Sequence, residues 1–148
     1  AQIDAFDMLP NETQGEIAYN RTTYNWNNWA DLLEADKGTD ILATYSNQFY
    51  AGKAAVVKHS IGKGTVTYIG VDTDDSKLER DVLKSIFAQN NVAIEDYPEG
   101  VYVNWRAGLF VAVNYSSENK EINIPEKAKI LIGEKTLAPA GVVVWRLE

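Results

Sequence analysis

The most regular pattern of hydrophobic and polar positions lies in residues 49–70, where two apolar runs flank a pair of glycines. Residues 54–59 and 65–69 are rich in β-branched and apolar side chains, which favours strands. Gly62 and Gly64 separate the two runs, and glycine readily adopts the positive φ angles of hairpin turns. The pattern predicts a β-hairpin, and nothing in it indicates chemistry.

A helical pattern begins shortly after the hairpin and covers residues 77–89. Its apolar side chains recur at three- and four-residue spacing, and polar side chains occupy the opposite face. The apolar stripe consists of Leu78, Val82, Leu83, Ile86 and Phe87. Asp72, Asp74 and Asp75 precede it, and negative charge is stabilising near the positive end of a helix dipole. We predict an amphipathic helix over this range.

The first third of the chain carries weaker signals. The spacing of its large apolar residues predicts a second helix over residues 26–33, with Asn25 as N-cap and Gly38 as its end. The apolar positions at helical spacing are Trp26, Trp29 or Ala30, and Leu33. Short strands are predicted at residues 16–19, 21–24 and 40–45. In residues 1–14 the apolar positions expected to contact a core are Ile3, Ala5 or Phe6, and Met8.

The composition changes after residue 89. Residues 95–100 combine acidic side chains with Pro98 and Gly100, which is typical of a connection between domains. Short strands separated by turn residues follow at regular spacing. The predicted strands cover residues 101–105, 109–115, 121–124, 128–132 and 142–147. The pattern therefore predicts a first part with both strands and helices, followed by a small all-β antiparallel sandwich or barrel.

Composition and charge exclude several classes of function. The net charge of −7 argues against a nucleic-acid partner, since phosphate binding needs a basic surface. The absence of cysteine excludes disulfides, zinc–thiolate sites and thiol nucleophiles. No run approaches the ~18 apolar residues of a membrane span, so no membrane partner is expected. We expect a soluble protein, and the compartment, cytoplasmic or periplasmic in a bacterium, stays open.

Two motifs with a superficial similarity to ligand loops fail on their spacing. A phosphate loop needs Ser or Thr directly after Gly-Lys and a glycine upstream, but Gly64 follows Lys63 and Val57 takes the upstream position. A calcium loop beginning at Asp72 needs a glycine where Lys77 stands and a closing carboxylate where Leu83 stands. A hairpin turn and a helix start explain these residues better.

The remaining candidates for catalysis have no partners in the pattern. His59 is the only histidine, and no serine or cysteine motif pairs with it. Glycoside hydrolysis needs two carboxylates, but Glu95, Asp96 and Glu99 lie in the predicted connection, without a buried environment that would raise a pKa. We predict no catalytic residue, no metal ligand and no cofactor for this chain.

Aromatic residues are the other candidates for binding, because flat rings stack on sugars as well as in protein cores. The chain contains four Trp residues. Core packing or a subunit contact is a commoner use of such aromatic residues than sugar binding. The aromatic residues in question are Tyr19, Tyr24, Trp26, Trp29, Phe49, Tyr50, Trp105 and Trp145. Glycosylation sequons begin at Asn11, Asn20 and Asn114, and they matter only in a eukaryotic secretory context.

Several segments, taken in order along the chain, resemble the C-terminal part of the glycoside hydrolase family 42 β-galactosidases. No single segment is specific, but their order over almost the whole chain is. The segments are IDAFD (3–7), WADLLE (29–34), ILATY (41–45), FYAGKAA (49–55), IGKG (61–64) with YIG (68–70), PEGV (98–101), LFVAVNY (109–115) and PAGVVV (139–144).

The resemblance implies a fold and a division of the chain. In that family a catalytic (β/α)8 barrel comes first, followed by a Rossmann-like or glutaminase-like α/β trimerisation domain and a small β domain. Residues 1–96 would be the later part of the α/β trimerisation domain, its first half lying outside this chain. Residues 97–148 would be the C-terminal antiparallel β domain.

The resemblance also implies a function. The family's catalytic glutamates lie in the barrel, so this chain would be a non-catalytic fragment, inactive alone, of a protein that hydrolyses terminal β-D-galactosides. Its partners would be the barrel of its parent chain and further copies, as in the family's trimer. Two alternatives stay open: a free-standing carbohydrate-binding or protein-interaction module, and a small enzyme built around His59.

Overall fold

The computed structural model describes residues 1–10, 12–73 and 75–148. The described chain divides into two compact units, residues 1–93 and 94–148. The elements of the first unit are β1 (Gln2–Asp7), β2 (Gly15–Tyr19), β3 (Thr22–Glu34), β4 (Thr39–Tyr45), β5 (Ala54–Ile61), β6 (Gly64–Ile69), β7 (Val71–Thr73) and α1 (Lys77–Gln89). Those of the second are β8 (Val101–Arg106), β9 (Leu109–Asn114), β10 (Lys120–Glu121), β11 (Ala128–Ile132), β12 (Thr136–Leu137) and β13 (Val142–Leu147).

The prediction of an α/β segment is wrong. In the first unit, seven strands form one sheet in the order β1-β3-β2-β4-β5-β6, with β7 paired to β3, and every pair is antiparallel. A Rossmann-like or glutaminase-like segment would need parallel strands with helical crossovers. Among the described residues, α1 is the only helix, so the described chain is almost all β.

The predicted helix over residues 26–33 is instead the second half of β3. A register shift between Trp26 and Ala30 changes which side chains face inward, so that the strand mimics helical spacing. Its Asn, Thr and aromatic residues are poor helix formers and common in strands or turns. The strand bonds to β1, β2, β5 and β7, and this pairing outweighs a weak helical pattern.

The sheet of the first unit closes on itself. Leu33 of β3 pairs with Ala54 of β5, which completes a circuit through β3, β2, β4 and β5 and forms a small barrel. The centre of the barrel is aromatic, because Trp26 and Tyr45 are buried there with their rings edge to face at 5.8 Å. Gly15 permits this packing, since a Cβ at that position would lie 2.1 Å from the indole nitrogen of Trp26.

The hairpin predicted at residues 54–69 is confirmed. β5 and β6 pair from Val56 and Ile69 to Ile61 and Gly64. Gly62 opens the two-residue turn with φ of 58°, as glycine commonly does in the first position of a hairpin turn. Gly64 is already the first residue of β6, so only one of the two glycines has a positive φ.

The helix predicted over residues 77–89 is confirmed as α1. Leu78 and Val82 are fully buried against the barrel, whereas Leu83 and Phe87 of the predicted stripe are exposed. Tyr24 links the helix to β3 by donating a hydrogen bond of 2.7 Å to Asp81. Asp74, one of the acidic residues before the helix, lies outside the described residues. No helix in the described ranges is long and apolar enough to cross a membrane.

The second unit contains a four-stranded antiparallel sheet, β11-β13-β9-β8, and a two-stranded sheet of β10 and β12. The predicted strands at 101–105, 109–115, 128–132 and 142–147 are confirmed within a residue. The prediction at 121–124 overestimates β10, and β12 was missed because two residues give no alternation. The core residues are Val101, Ala112, Ile122, Ile124, Leu137, Val143 and Trp145.

Candidate functional site

The outward face of the barrel in the first unit is apolar, where water-facing strands are ordinarily polar. Directly opposite residues in an antiparallel pair share a face. Val57 lies opposite Tyr68, and His59 lies opposite Val66. On the other face of the same hairpin, residues 58, 60, 65 and 67 are Lys, Ser, Thr and Thr. The hydrophobic alternation is therefore the reverse of that of a solvent-facing hairpin.

These outward side chains surround a groove with a volume of about 380 Å³. Leu33, Ala54 and Val57 form a small buried cluster at this face, separate from the barrel core. Much of the remaining wall is exposed, since Ile61 is 62%, Val66 55% and Tyr68 42% accessible. The groove is lined by Ala1, Gln2, Ile3, Leu33, Thr39, Val57, His59, Ile61, Val66 and Tyr68. No carboxylate is among these lining residues.

An aromatic pair lies at the other end of β1. Phe6 stacks on Trp29 with ring centroids 4.8 Å apart and planes 6° from parallel. Both rings stay accessible, Phe6 by 62% and Trp29 by 40%. We call these two residues the aromatic slab. The expectation that Ile3, Ala5 or Phe6, and Met8 contact a core is wrong, because β1 is an edge strand and all four side chains are exposed.

A buried carboxylate connects the slab to the groove. Asp31 accepts a hydrogen bond of 2.9 Å from the indole N–H of Trp29 on one oxygen and one of 2.6 Å from the hydroxyl of Tyr68 on the other. The hydrogen bond to Asp31, together with burial, raises the pKa of Tyr68. Sequence reasoning did not identify Asp31, because the range that contains it was predicted to be a helix and an isolated carboxylate there gives no signal.

His59 lies on the wall of the groove, where its Nδ1 is 3.1 Å from the hydroxyl of Thr39. The groove lining offers it no carboxylate and no serine or cysteine. The structure thus places the histidine in the wall of the groove, but without the partners that nucleophilic or acid–base catalysis requires.

The predicted carboxylates lie in the second unit. Glu95 and Asp96 border a depression with Tyr97 and Asn123, and the Tyr97 hydroxyl donates a hydrogen bond to Glu95. Burial and this bond raise the pKa of Tyr97 to about 12. Both carboxylates are exposed, and Glu99 lies outside the depression. Within the described ranges, no cluster of three or more His, Cys, Asp or Glu could hold a metal ion.

The structure divides the aromatic residues into two groups. Those buried in the cores are Tyr19, Tyr24, Trp26, Tyr50 and Trp145, and those left exposed are Trp29, Phe49 and Trp105. The exposed residues Tyr102 and Tyr115 of the second unit were not singled out from the sequence. Of the sequon asparagines, Asn114 is fully buried, Asn20 lies in an exposed turn, and Asn11 lies outside the described residues.

Comparison with protein families gives two adjoining matches. Residues 1–93 match the family described as the beta-galactosidase trimerisation domain, and residues 100–147 match the beta-galactosidase C-terminal domain. One relative, the β-galactosidase BgaH of Haloferax lucentense, is 29% identical over 137 residues, which are 93% of this chain and 20% of that protein. The chain therefore spans about a fifth of the length of the curated relatives it matches.

Solved structures show the same fold. A β-galactosidase from Bacillus circulans sp. alkalophilus has a TM-score of 0.80 at 19% identity, covering 99% of this chain and 24% of that one. A catalytic mutant of Gan42B, a GH42 β-galactosidase from G. stearothermophilus, has a TM-score of 0.77 at 21% identity, covering 97% and 22%. The two family matches together show that this chain belongs to the glycoside hydrolase family 42 β-galactosidases, as their C-terminal trimerisation and β-domain region.

Proposed function

We propose that this chain is the non-catalytic C-terminal part of a β-galactosidase. It would hold copies of the protein together and support the catalytic barrel of its own parent chain. The match of residues 1–93 to a trimerisation domain carries the proposal. The relatives are β-galactosidases about five times as long as the matched region, so most of their sequence lies outside it and can contain their catalytic residues. The parent of this chain would hydrolyse terminal β-D-galactosides.

The chemistry of the described side chains supports the same role. The groove of the first unit lacks carboxylates, and those of the second unit are exposed. A glycosidase needs one carboxylic acid whose pKa is raised by its surroundings, next to a second carboxylate. We propose further that the boundary between the two domains lies along the chain at residues 96 and 97. The family matches support this position, because one ends at residue 93 and the other begins at residue 100.

The proposal is tested by measuring the mass and the activity of the purified 148-residue chain. Light scattering is expected to give three times the chain mass of 16.5 kDa. Hydrolysis of a chromogenic β-galactoside is expected to equal that of a buffer blank. A monomer across the accessible concentration range contradicts self-association by this chain. Turnover that follows the protein through purification contradicts the non-catalytic role.

The exposed aromatic residues of the second unit favour a second candidate, a carbohydrate-binding module. Tyr102 and Tyr115 contact each other with centroids 5.5 Å apart, and both are largely accessible, as is Trp105. Such rings can stack on a sugar. Titration with galactose or lactose, followed by tryptophan fluorescence, tests this function. Saturable quenching that disappears in Trp105→Ala favours the module, and an unchanged spectrum excludes it for these sugars.

A further inference from the structure

We propose that copies of this chain associate through the outward face of the first unit, with the aromatic slab of one copy docked in the groove of the next. This inference rests on the proposed oligomerisation and names the surface that performs it. The occupant of the groove is thus a second copy of this chain, and the docking group is the pair Phe6 and Trp29.

The reversed alternation of the β5–β6 hairpin is the first argument. If this face of the hairpin were in contact with water, Ile61, Val66 and Tyr68 would be exposed. The Lys, Ser and Thr residues lie on the other face of the hairpin. Contiguous exposed apolar surface on a soluble protein marks an interaction site. The three side chains extend an already buried cluster, so a docked ring would continue existing apolar packing.

The symmetry of a trimer is the second argument. Three identical copies form a closed ring only through heterologous contacts, in which two different surfaces of the chain meet. The groove at the start of β1 and the slab at its end are two different surfaces of this kind, one a concave groove and the other a pair of exposed stacked rings.

Charge is the third argument. Each copy carries a net charge of −7, so association is favoured where carboxylates are absent from the contact. The groove lining contains none. Asp31, which lies between groove and slab, is buried and has both oxygens hydrogen-bonded. Its bonds to Trp29 and Tyr68 fix one ring of each surface, so Asp31 acts as a positioning residue for the contact.

The first test compares Val66→Lys with Thr65→Lys by sedimentation equilibrium. The two positions are neighbours on β6, both side chains are exposed, and they point to opposite faces. Burying a lysine charge in the contact is expected to weaken association by about 100-fold, whereas Thr65→Lys leaves it unchanged. Equal masses for the two variants overturn the inference. Circular dichroism checks that both variants are folded.

The second test mixes two variants, each defective in one surface. Val66→Lys retains its slab, and Phe6→Lys retains its groove, with Ala5→Lys as the control on the opposite face of β1. Each variant alone is expected to be a monomer, and the mixture is expected to form a dimer of one copy of each. A mixture that stays monomeric overturns the pairing of slab with groove.

The outcomes separate this inference from the proposed function. A trimeric wild-type chain whose mass is unaffected by Val66→Lys and Phe6→Lys contradicts the surface and leaves the oligomerisation standing. A monomeric wild-type chain contradicts both the surface and the oligomerisation.

Discussion

Each unit contains a buried polar side chain that makes several side-chain hydrogen bonds, Asp31 in the first and Asn114 in the second, and the two have different roles. Asn114 of the second unit is fully buried and bonds to a nearby loop and turn. Its amide donates to the carbonyls of Glu118 and Leu137 at 2.7 and 2.9 Å, and its oxygen accepts from the backbone N–H of Ser116 at 2.9 Å. These hydrogen bonds of Asn114 connect separate backbone segments of the second unit.

Asp31 of the first unit is also buried, but its side-chain bonds go to the side chains of Trp29 and Tyr68. Both partners lie at the molecular surface, one in the aromatic slab and one in the groove. A buried side chain that hydrogen-bonds to backbone groups stabilises the fold. A buried side chain that hydrogen-bonds to exposed aromatic side chains fixes their orientation at the surface. The proposed contact requires this difference, because it needs the rings of the first unit to be held in place at the surface.

The largest effect is expected from Asn114→Asp. The substitution replaces an amide that donates to three carbonyls by a carboxylate that repels them. Leaving these groups unpaired around a buried charge is expected to lower the free energy of unfolding by about 4 kcal/mol. Urea denaturation measures it, with Asn104→Asp on the exposed face of β8 as the control. Equal stability of the two variants would remove the structural role assigned to Asn114.

A smaller loss is expected from Gly15→Ala, which affects the barrel core of the first unit and leaves the outward face intact. The added methyl overlaps the indole of Trp26, and overpacking costs about 2–3 kcal/mol. Gly64→Ala is the control, because its nearest contact is a carbonyl oxygen at 3.8 Å. Thermal unfolding checks the difference. Loss of self-association at temperatures where the variant is folded would show that the core and the outward face are not separable.

Asp31→Asn is expected to cost about 1 kcal/mol, because the new amide can still accept from Trp29 and donate to the Tyr68 oxygen. The charge is lost, so the pKa of Tyr68 is expected to fall towards the ordinary tyrosine value of about 10. Ultraviolet titration of tyrosine measures this shift, with the exposed Asp72→Asn as the control. An unchanged titration curve would show that Asp31 does not hold the Tyr68 hydroxyl.

The smallest effect is expected from Tyr24→Phe, and it is confined to alkaline pH. Burial, reinforced by the bond to Asp81, raises the pKa of Tyr24 to about 12. The folded state keeps this proton above pH 10, where the unfolded state loses it, so the stabilisation is complete below about pH 10 and falls as the pH rises to 12. Tyr24→Phe is expected to flatten this part of the stability curve. Parallel curves for wild type and variant would contradict the shift.

The sequence predicted those parts of the fold in which local pattern and tertiary pairing agree. The hairpin of residues 54–69 and the helix of residues 77–89 have a clear period, and both are confirmed. Residues 26–33 have helical spacing because a register shift in β3 changes the strand phase, and a register shift is set by neighbouring strands. The Rossmann-like expectation came from the resemblance, and the antiparallel pairing contradicts it.

Only some residues of the candidate surface could be predicted from the sequence. Trp29 was singled out as an aromatic residue and His59 as a lone histidine, but their neighbours come from strands far apart in the chain. Ile3, Leu33 and Val66 meet only because the barrel closes between β3 and β5. Asp31 has no sequence signal, since a carboxylate on a strand is ordinarily solvated, whereas the folded sheet buries it and bonds it to Trp29 and Tyr68.

Hydrogen–deuterium exchange of the 148-residue chain at several protein concentrations tests the central claim most directly. The account predicts that amide protection in β1 and in the β5–β6 hairpin increases with concentration, while protection in residues 94–148 stays constant. Concentration-dependent protection in the second unit, with none in β1 or the hairpin, would contradict the assignment of association to the outward face of the first unit.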